Sequence, residues 1–277
     1  MRWTILTDNR TTDNRLLTEH GLSVYVETSR HKLLLDTGAS DVFARNAECL
    51  GINLADVDYV FISHGHCDHA GGLRAFLKIN SKAQVILSPH CIDRQFYSNR
   101  NGLHSITAEW KGVDLSRFIF VDEDRQIADD IRVILPSCRM HPLPQGNSHL
   151  LSVQSIESLS PDDFCHELVL YADGLLFTGC AHSGLENILD SFKHLSDSLP
   201  SPLVLHSVLG GFHLLDDKEN ADELLRLASQ LRTKWSDVSF YTGHCTGDHA
   251  LQTMQSVSGL CLNSFYCGMS HTTNNSI

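Results

Sequence analysis

Strand-like runs recur along this chain, and several are apolar at both odd and even positions, as in "VDYVFIS" (57–63), "AQVILS" (83–88), "IRVILP" (131–136) and "PLVLHSVLG" (202–210). A strand with one wet face alternates apolar and polar residues, so these runs belong inside a layered structure, covered on both sides. The runs "WTILT" (3–7), "LSVYVET" (22–28), "KLLLDTG" (32–38), "FIFVD" (118–122), "ELVLYADGLLFTG" (167–179) and "VSFYTG" (238–243) add further strands. Helical periodicity falls between them, at 40–51 with Ser40 as N-cap, 71–79, 185–197 and 221–234. Early strands followed by strands mixed with helices predict an α/β fold in which sheets are covered by helices on their outer faces. No internal repeat, low-complexity tract or linker divides the chain, so residues 1–277 read as one domain. The stretches 89–117 and 137–165 are less regular, and such segments often wall a site.

Charge narrows the partners. The chain has 21 Lys and Arg against 33 Asp and Glu, a formal net charge of −12 with no basic cluster, which argues against a nucleic-acid ligand. No apolar run is long enough to span a bilayer, and "MRWTILTDNR" turns polar too early for a signal peptide. Nine scattered cysteines without paired spacing point to reduced thiols. Together these features predict a cytoplasmic protein acting on a small molecule. They say nothing of its oligomeric state.

The chemistry concentrates in "FISHGHCDHAGGL" (61–73). If "VDYVFIS" is a buried strand, His64 stands where it ends, and His64 and His66 point to one side of extended chain. Asp68 and His69 follow as the chain turns toward a helix near Gly71, which aims them at a second ion. Gly71 and Gly72 permit a tight backbone there. Imidazole nitrogens with a carboxylate oxygen suit zinc, iron or manganese, and paired ions form a template for hydrolysis.

"SHGHCDHAGGL" resembles the H-x-H-x-D-H signature of the metallo-β-lactamase superfamily, and "LLLDTGAS" (33–40) resembles its second marker, an Asp-Gly turn after a strand. "TDN" (7–9), "EHGLSVYVE" (19–27), "NAECLGI" (46–52), "LLFTGCAHSG" (175–184), "GGFHL" (210–214) and "GHCTG" (243–247) resemble one branch of it, which includes an archaeal dihydropterin-ribofuranosyl-aminobenzene phosphate synthase. The resemblance implies a four-layered αββα sandwich with a dinuclear metal site at one edge of its two sheets. It implies His64, His66, Asp68, His69, His182 and His244 as metal ligands. Cys180 joins them, standing where many members have a bridging Asp, and its thiolate is a competent soft ligand. The superfamily's middle histidine is left open between His166, His149, His141, His90 and His182. His213 is assigned to the substrate pocket, and Asp36 to orienting ligand histidines or capping its turn.

The expected activity is metal-dependent hydrolysis of a small molecule, phosphorylated or pterin-like, with two divalent ions, zinc before iron or manganese, activating a water. Asp68 orients the hydroxide in this reading, and His213 protonates the leaving group or holds the oxyanion. A condensing synthase of pterin type and a non-enzymatic metal- and ligand-binding sensor are the alternatives. A flavodiiron-type oxidoreductase is disfavoured, because His66 occupies a position where that class has a carboxylate.

Overall fold

A computed structural model describes residues 1–154, 158–216 and 218–273. One seven-stranded sheet has the order Ser270–Thr272, Arg2–Thr7, Ser23–Glu27, Lys32–Leu35, Tyr59–Phe61, Gln84–Leu87, Phe118–Phe120. A second runs Leu262–Ser264, Ser239–Thr242, Ser207–Leu209, Leu175–Phe177, Val169–Ala172, Ile131–Ile134, Arg125–Ala128. Each has an antiparallel side and a parallel side. The parallel pairs run from Lys32–Leu35 through Phe118–Phe120 in the first sheet, and from Leu175–Phe177 through Leu262–Ser264 in the second.

Burial follows the strand period on both faces. Leu33 and Leu35 enter a core between the sheets, together with Phe61, Leu170, Phe177 and Leu209. Their neighbours Leu34 and Val60 enter a core under the helices Val42–Cys49 and Leu73–Ile79. On the far side, Val169, Leu176, Val208 and Phe240 pack beneath Leu185–Ser198, Ala221–Lys234 and Asp248–Gln255. Three cores between four layers make the expected αββα sandwich, and they account for strands apolar at both parities.

Local differences from the sequence reading have physical causes. "ELVLYADGLLFTG" is two strands, because Asp173 and Gly174 take positive φ of 46° and 89° and turn the chain into a hairpin. Helix Val42–Cys49 has Asp41 at its N-cap, but its side chain accepts from Arg45 and not from the helix backbone, and the Ser40 hydroxyl instead accepts from the Val42 N–H at 3.3 Å. A third, four-stranded sheet pairs Arg94–Ser98 with His104–Ser105 and Leu150–Gln154, which pairs in turn with Ser160–Pro161. It arises from the two stretches read as irregular. Of the described residues, no helix is long and apolar enough to cross a membrane, and all nine cysteines are free thiols.

Candidate metal centre

The strand Tyr59–Phe61 ends because its next donors change partner. Ile62 still bonds across to Ile86 O, but the Ser63 N–H turns to Asp36 Oδ1 at 2.7 Å. The chain bends at His64 and Gly65 instead of running on as the extended segment expected, and only His66 is extended, as the N-cap of a one-turn helix, Cys67–Ala70, which carries Asp68 and His69. Helix Leu73–Ile79 begins after it, so the expected single turn into a helix near Gly71 is two short steps. Gly71 and Gly72 are required by close approach and not by a left-handed φ. A Cβ on Gly72 would lie 2.1 Å from Thr37 O and 2.3 Å from Ser40 O. Across the cleft, Cys180 and His182 follow Leu175–Phe177, and His244 follows Ser239–Thr242. Asp36, Phe164, Ala181, His213 and His244 all hold positive φ between 50° and 55°, an accumulation of backbone strain at one place.

Hydrogen bonds fix the imidazole tautomers. The Ser63 hydroxyl donates its one proton to Asp36 Oδ2 at 2.7 Å and so accepts from His64 Nδ1–H at 2.9 Å. Asp36 Oδ2 also accepts from His69 Nδ1–H at 2.6 Å, which is the orienting role read for Asp36 in the sequence. Asn147 Nδ2 donates to the His182 carbonyl at 2.8 Å, which places Oδ1 to accept from His182 Nδ1–H at 3.0 Å. Asn9 does the same for His244, with Nδ2 on its carbonyl at 3.0 Å and Oδ1 on its Nδ1 at 3.1 Å. Each of these four rings therefore bonds outward through Nδ1–H and turns Nε2 inward, the orientation a metal ligand needs.

The inward atoms form two groups. Nε2 of His64, of His66 and of His182 are all buried without a hydrogen-bond partner, and the three residues offer ligand atoms within 4.8 Å of one another. Asp68 Oδ2 lies 3.7 Å from His69 Nε2 and 3.3 Å from His244 Nε2, and those two nitrogens are 3.1 Å apart. Ligands bonded at about 2.0–2.1 Å around a tetrahedral ion sit about 3.3 Å from one another, so both the spacing and the donor set fit a divalent metal. Cys180 Sγ lies between the groups, 3.1 Å from His69 Nε2 and grouped with His64.

Charge agrees with this arrangement. Burial, reinforced by neighbouring imidazoles, holds His64 and His182 well below the usual histidine range, and burial also lowers His66, so these rings are neutral. Burial alone would lower His244 as well, but the Asp68 carboxylate bonded to it outweighs that and raises it to about 9. The Cys180 thiol is pushed up by burial and by its neighbour Cys245.

The remaining histidines separate cleanly. His166 Nδ1 accepts from the Gly65 N–H at 2.9 Å, so its Nε2–H donates to Asp162 at 3.1 Å; it has the opposite tautomer and braces the loop between His64 and His66. His141 pairs with Asp190, and His90 lies beside Asp93. His149, bonded to Asn99, stands on the cavity wall. His182 is the candidate that joins His64 and His66. His213 lines the cavity with both ring nitrogens unpartnered, 4.3 Å ring to ring from His182. Ser63, Asn9, Asn147, Glu167 and His20 were not singled out from the sequence. Glu167 accepts from the N–H groups of His182 and Ser183 at 2.6 and 2.7 Å. Asn9, His20, Ser63 and Glu167 lie inside the quoted stretches "TDN", "EHGLSVYVE", "SHGHCDHAGGL" and "ELVLYADGLLFTG", which gave them no role of their own.

These groups floor a cavity of about 760 Å³. Arg100, His104 and His149 of the third sheet and its loops form one wall, as expected of the irregular stretches.

Residues 18–91 match the sequence profile of the metallo-beta-lactamase superfamily. An uncharacterized protein of Methanocaldococcus jannaschii is 29% identical over 92% of this chain and 94% of its own. The same organism's 7,8-dihydropterin-6-methyl-4-(beta-D-ribofuranosyl)-aminobenzene-5'-phosphate synthase is 23% identical over 83% and 81%. A crystal structure described as a metal-dependent hydrolase of the beta-lactamase superfamily superposes with a TM-score of 0.80, at 29% identity, covering 99% of each chain.

Proposed function

We propose that this chain is a metal-dependent hydrolase of the metallo-β-lactamase superfamily with a dinuclear centre, a reading supported by the profile match and by the superposed hydrolase. The carrying observation is the three buried, unpartnered Nε2 atoms of His64, His66 and His182. Buried polar atoms left without partners are costly, and a cation removes that cost for all three at once. In this reading they would hold one ion, Asp68, His69 and His244 would hold the other, and Cys180 would add a thiolate beside both. Zinc suits the nitrogen- and sulfur-rich set best, with iron and manganese as alternatives. Two such ions supply an activated water and a Lewis acid.

The chain's own residues do the rest. Asp36, Asn147 and Asn9 lock the ligand rings, so no reorganisation is needed during reaction. Asp68 positions the attacking water. His213, with two unpartnered nitrogens facing the cavity, donates to the departing group or to the developing oxyanion. The substrate is a small ester, phosphoester or lactone, phosphorylated or pterin-like. A condensation like that named for the 23% identical relative is the alternative. Nine free thiols support a reducing compartment such as the cytoplasm.

Metal analysis of protein purified without nickel or chelators should give about two equivalents, and turnover of phosphoester, lactone or thioester substrates should vanish on chelation and return with metal. Asp68→Ala should remove one equivalent and most turnover while leaving the fold. Unaltered turnover in that variant defeats the dinuclear mechanism, and tight small-molecule binding without turnover favours the sensor.

A further inference from the structure

His20 lines the cavity beside Asp68 and belongs to neither ligand group. Its Nε2 lies 3.4 Å from Asp68 Oδ2, and His20, Asp68 and His244 bring ligand atoms within 4.8 Å of one another, so distance alone would make it a further metal ligand. The hydrogen bonds give it another role. The His244 carbonyl can only accept, so the Asn9 atom 3.0 Å from it must be Nδ2. That same Nδ2 reaches His20 Nδ1 at 3.3 Å with its second proton. His20 Nδ1 is therefore an acceptor, and in the neutral ring the proton sits on Nε2. One amide thus sorts two rings, which tilt against each other at 4.9 Å: it accepts from Nδ1–H of His244 and donates to Nδ1 of His20.

We propose that His20 is the cavity's hydrogen-bond donor to an oxyanion of the substrate and not a metal ligand. Its side chain is 69% exposed, on the cavity lining above Asp68, so the N–H that now points at the carboxylate is within reach of a phosphoryl or carboxylate oxygen bound beside it. Asn9 is a positioning residue for both rings. The substrate role rests on the metal-dependent hydrolase reading; the tautomer does not.

The test uses full-length protein labelled with 15N-histidine, and inorganic phosphate as the probe. Histidine tautomers are read by long-range 1H–15N correlation in metal-free and zinc-loaded protein, and phosphate affinity is read by calorimetry on the zinc-loaded form. The expected results are an Nε2–H tautomer for His20 in both forms, an unchanged zinc content in His20→Ala, and phosphate binding weakened roughly 3–10-fold in that variant, the contribution of one hydrogen bond. His20→Gln, which keeps an N–H donor, should recover most of the affinity. Asn9→Asp offers an acceptor where Nδ2 stood, so it should move the His20 proton to Nδ1 and weaken phosphate as His20→Ala does. An Nδ1–H tautomer with coordinated Nε2, loss of zinc in His20→Ala, equal phosphate affinity in wild type and variant, or no phosphate binding by the wild type overturns the proposal. A wild type that takes up no zinc defeats the hydrolase reading instead, and the tautomer in the metal-free protein then decides His20.

Discussion

At the scale of single residues, the centre depends on side chains that touch no ion. Asn147 grips His182 twice, by its carbonyl and by its Nδ1, so Asn147→Ala leaves the ring free to rotate and to change tautomer. Losing such a partner typically costs roughly 10–100-fold in metal affinity, measurable by competition with a chromophoric chelator. Gly72→Ala acts on the backbone instead, since its Cβ would meet two carbonyl oxygens that cannot move aside. We expect a loss of about 3 kcal/mol in denaturant unfolding, at the upper end of ordinary overpacking. This scale also marks where the sequence stops being legible. His64, His66, Asp68 and His69 sit in one short loop, so their spacing is readable directly. His182 and His166 are both single histidines near strand ends, and only the partner of each Nδ1 tells ligand from brace. Asn9 and Asn147 acquire their roles from chain 235 and 35 positions away, and His20 acquires its role through Asn9 and Asp68, which no local pattern encodes.

At the scale of elements, the doubly apolar strands and the helices Val42–Cys49, Leu73–Ile79, Leu185–Ser198 and Ala221–Lys234 were legible because each face is buried in its own core, whereas the short helix Asp248–Gln255 was not read. The third sheet was not, because its strands are short and mix polar with apolar residues, as "RQFYS" and "LLSVQ" do. That sheet is coupled to the centre through Asp162, whose N–H bonds Leu150 O and whose carboxylate meets His166 at 3.1 Å and His66 at 3.7 Å. Burial opposes ionisation of Asp162, but the two imidazoles more than reverse it and hold the carboxyl below its usual range. A carboxyl depressed by folding stabilises the folded state above its unfolded value of about 3.9 and loses that contribution as pH falls below it. In metal-free protein, the stability difference between wild type and Asp162→Asn should therefore be full near pH 6 and shrink below about pH 4. A difference independent of pH would show that Asp162 acts only by packing.

At the scale of the whole molecule, the first sheet's loops supply His64, His66, Asp68 and His69, while the second sheet's supply Cys180, His182 and His244. Ions held there, as proposed, would tie the two sheets together at one edge. Ligands that bind only the folded state stabilise it by mass action, about 2.7 kcal/mol at a hundredfold excess over Kd. Chelation should thus lower the melting temperature by several degrees, and zinc should restore it. A melting temperature indifferent to chelation would place the cluster outside the cooperative unit.

The Asn9 clamp on His244 has a consequence for biosynthesis. It joins residues 235 positions apart, and the neighbouring His69 meets His244 across 175. A ribosome releases the "HGHCDH" loop long before it releases His244 or the strand that carries it. While the chain is growing, metal offered to it finds only an incomplete grip, which free cellular chelators can win back. Tight retention would wait for the last strands to arrive, so under the proposed metal centre retention would act as a check that the chain has been made and closed.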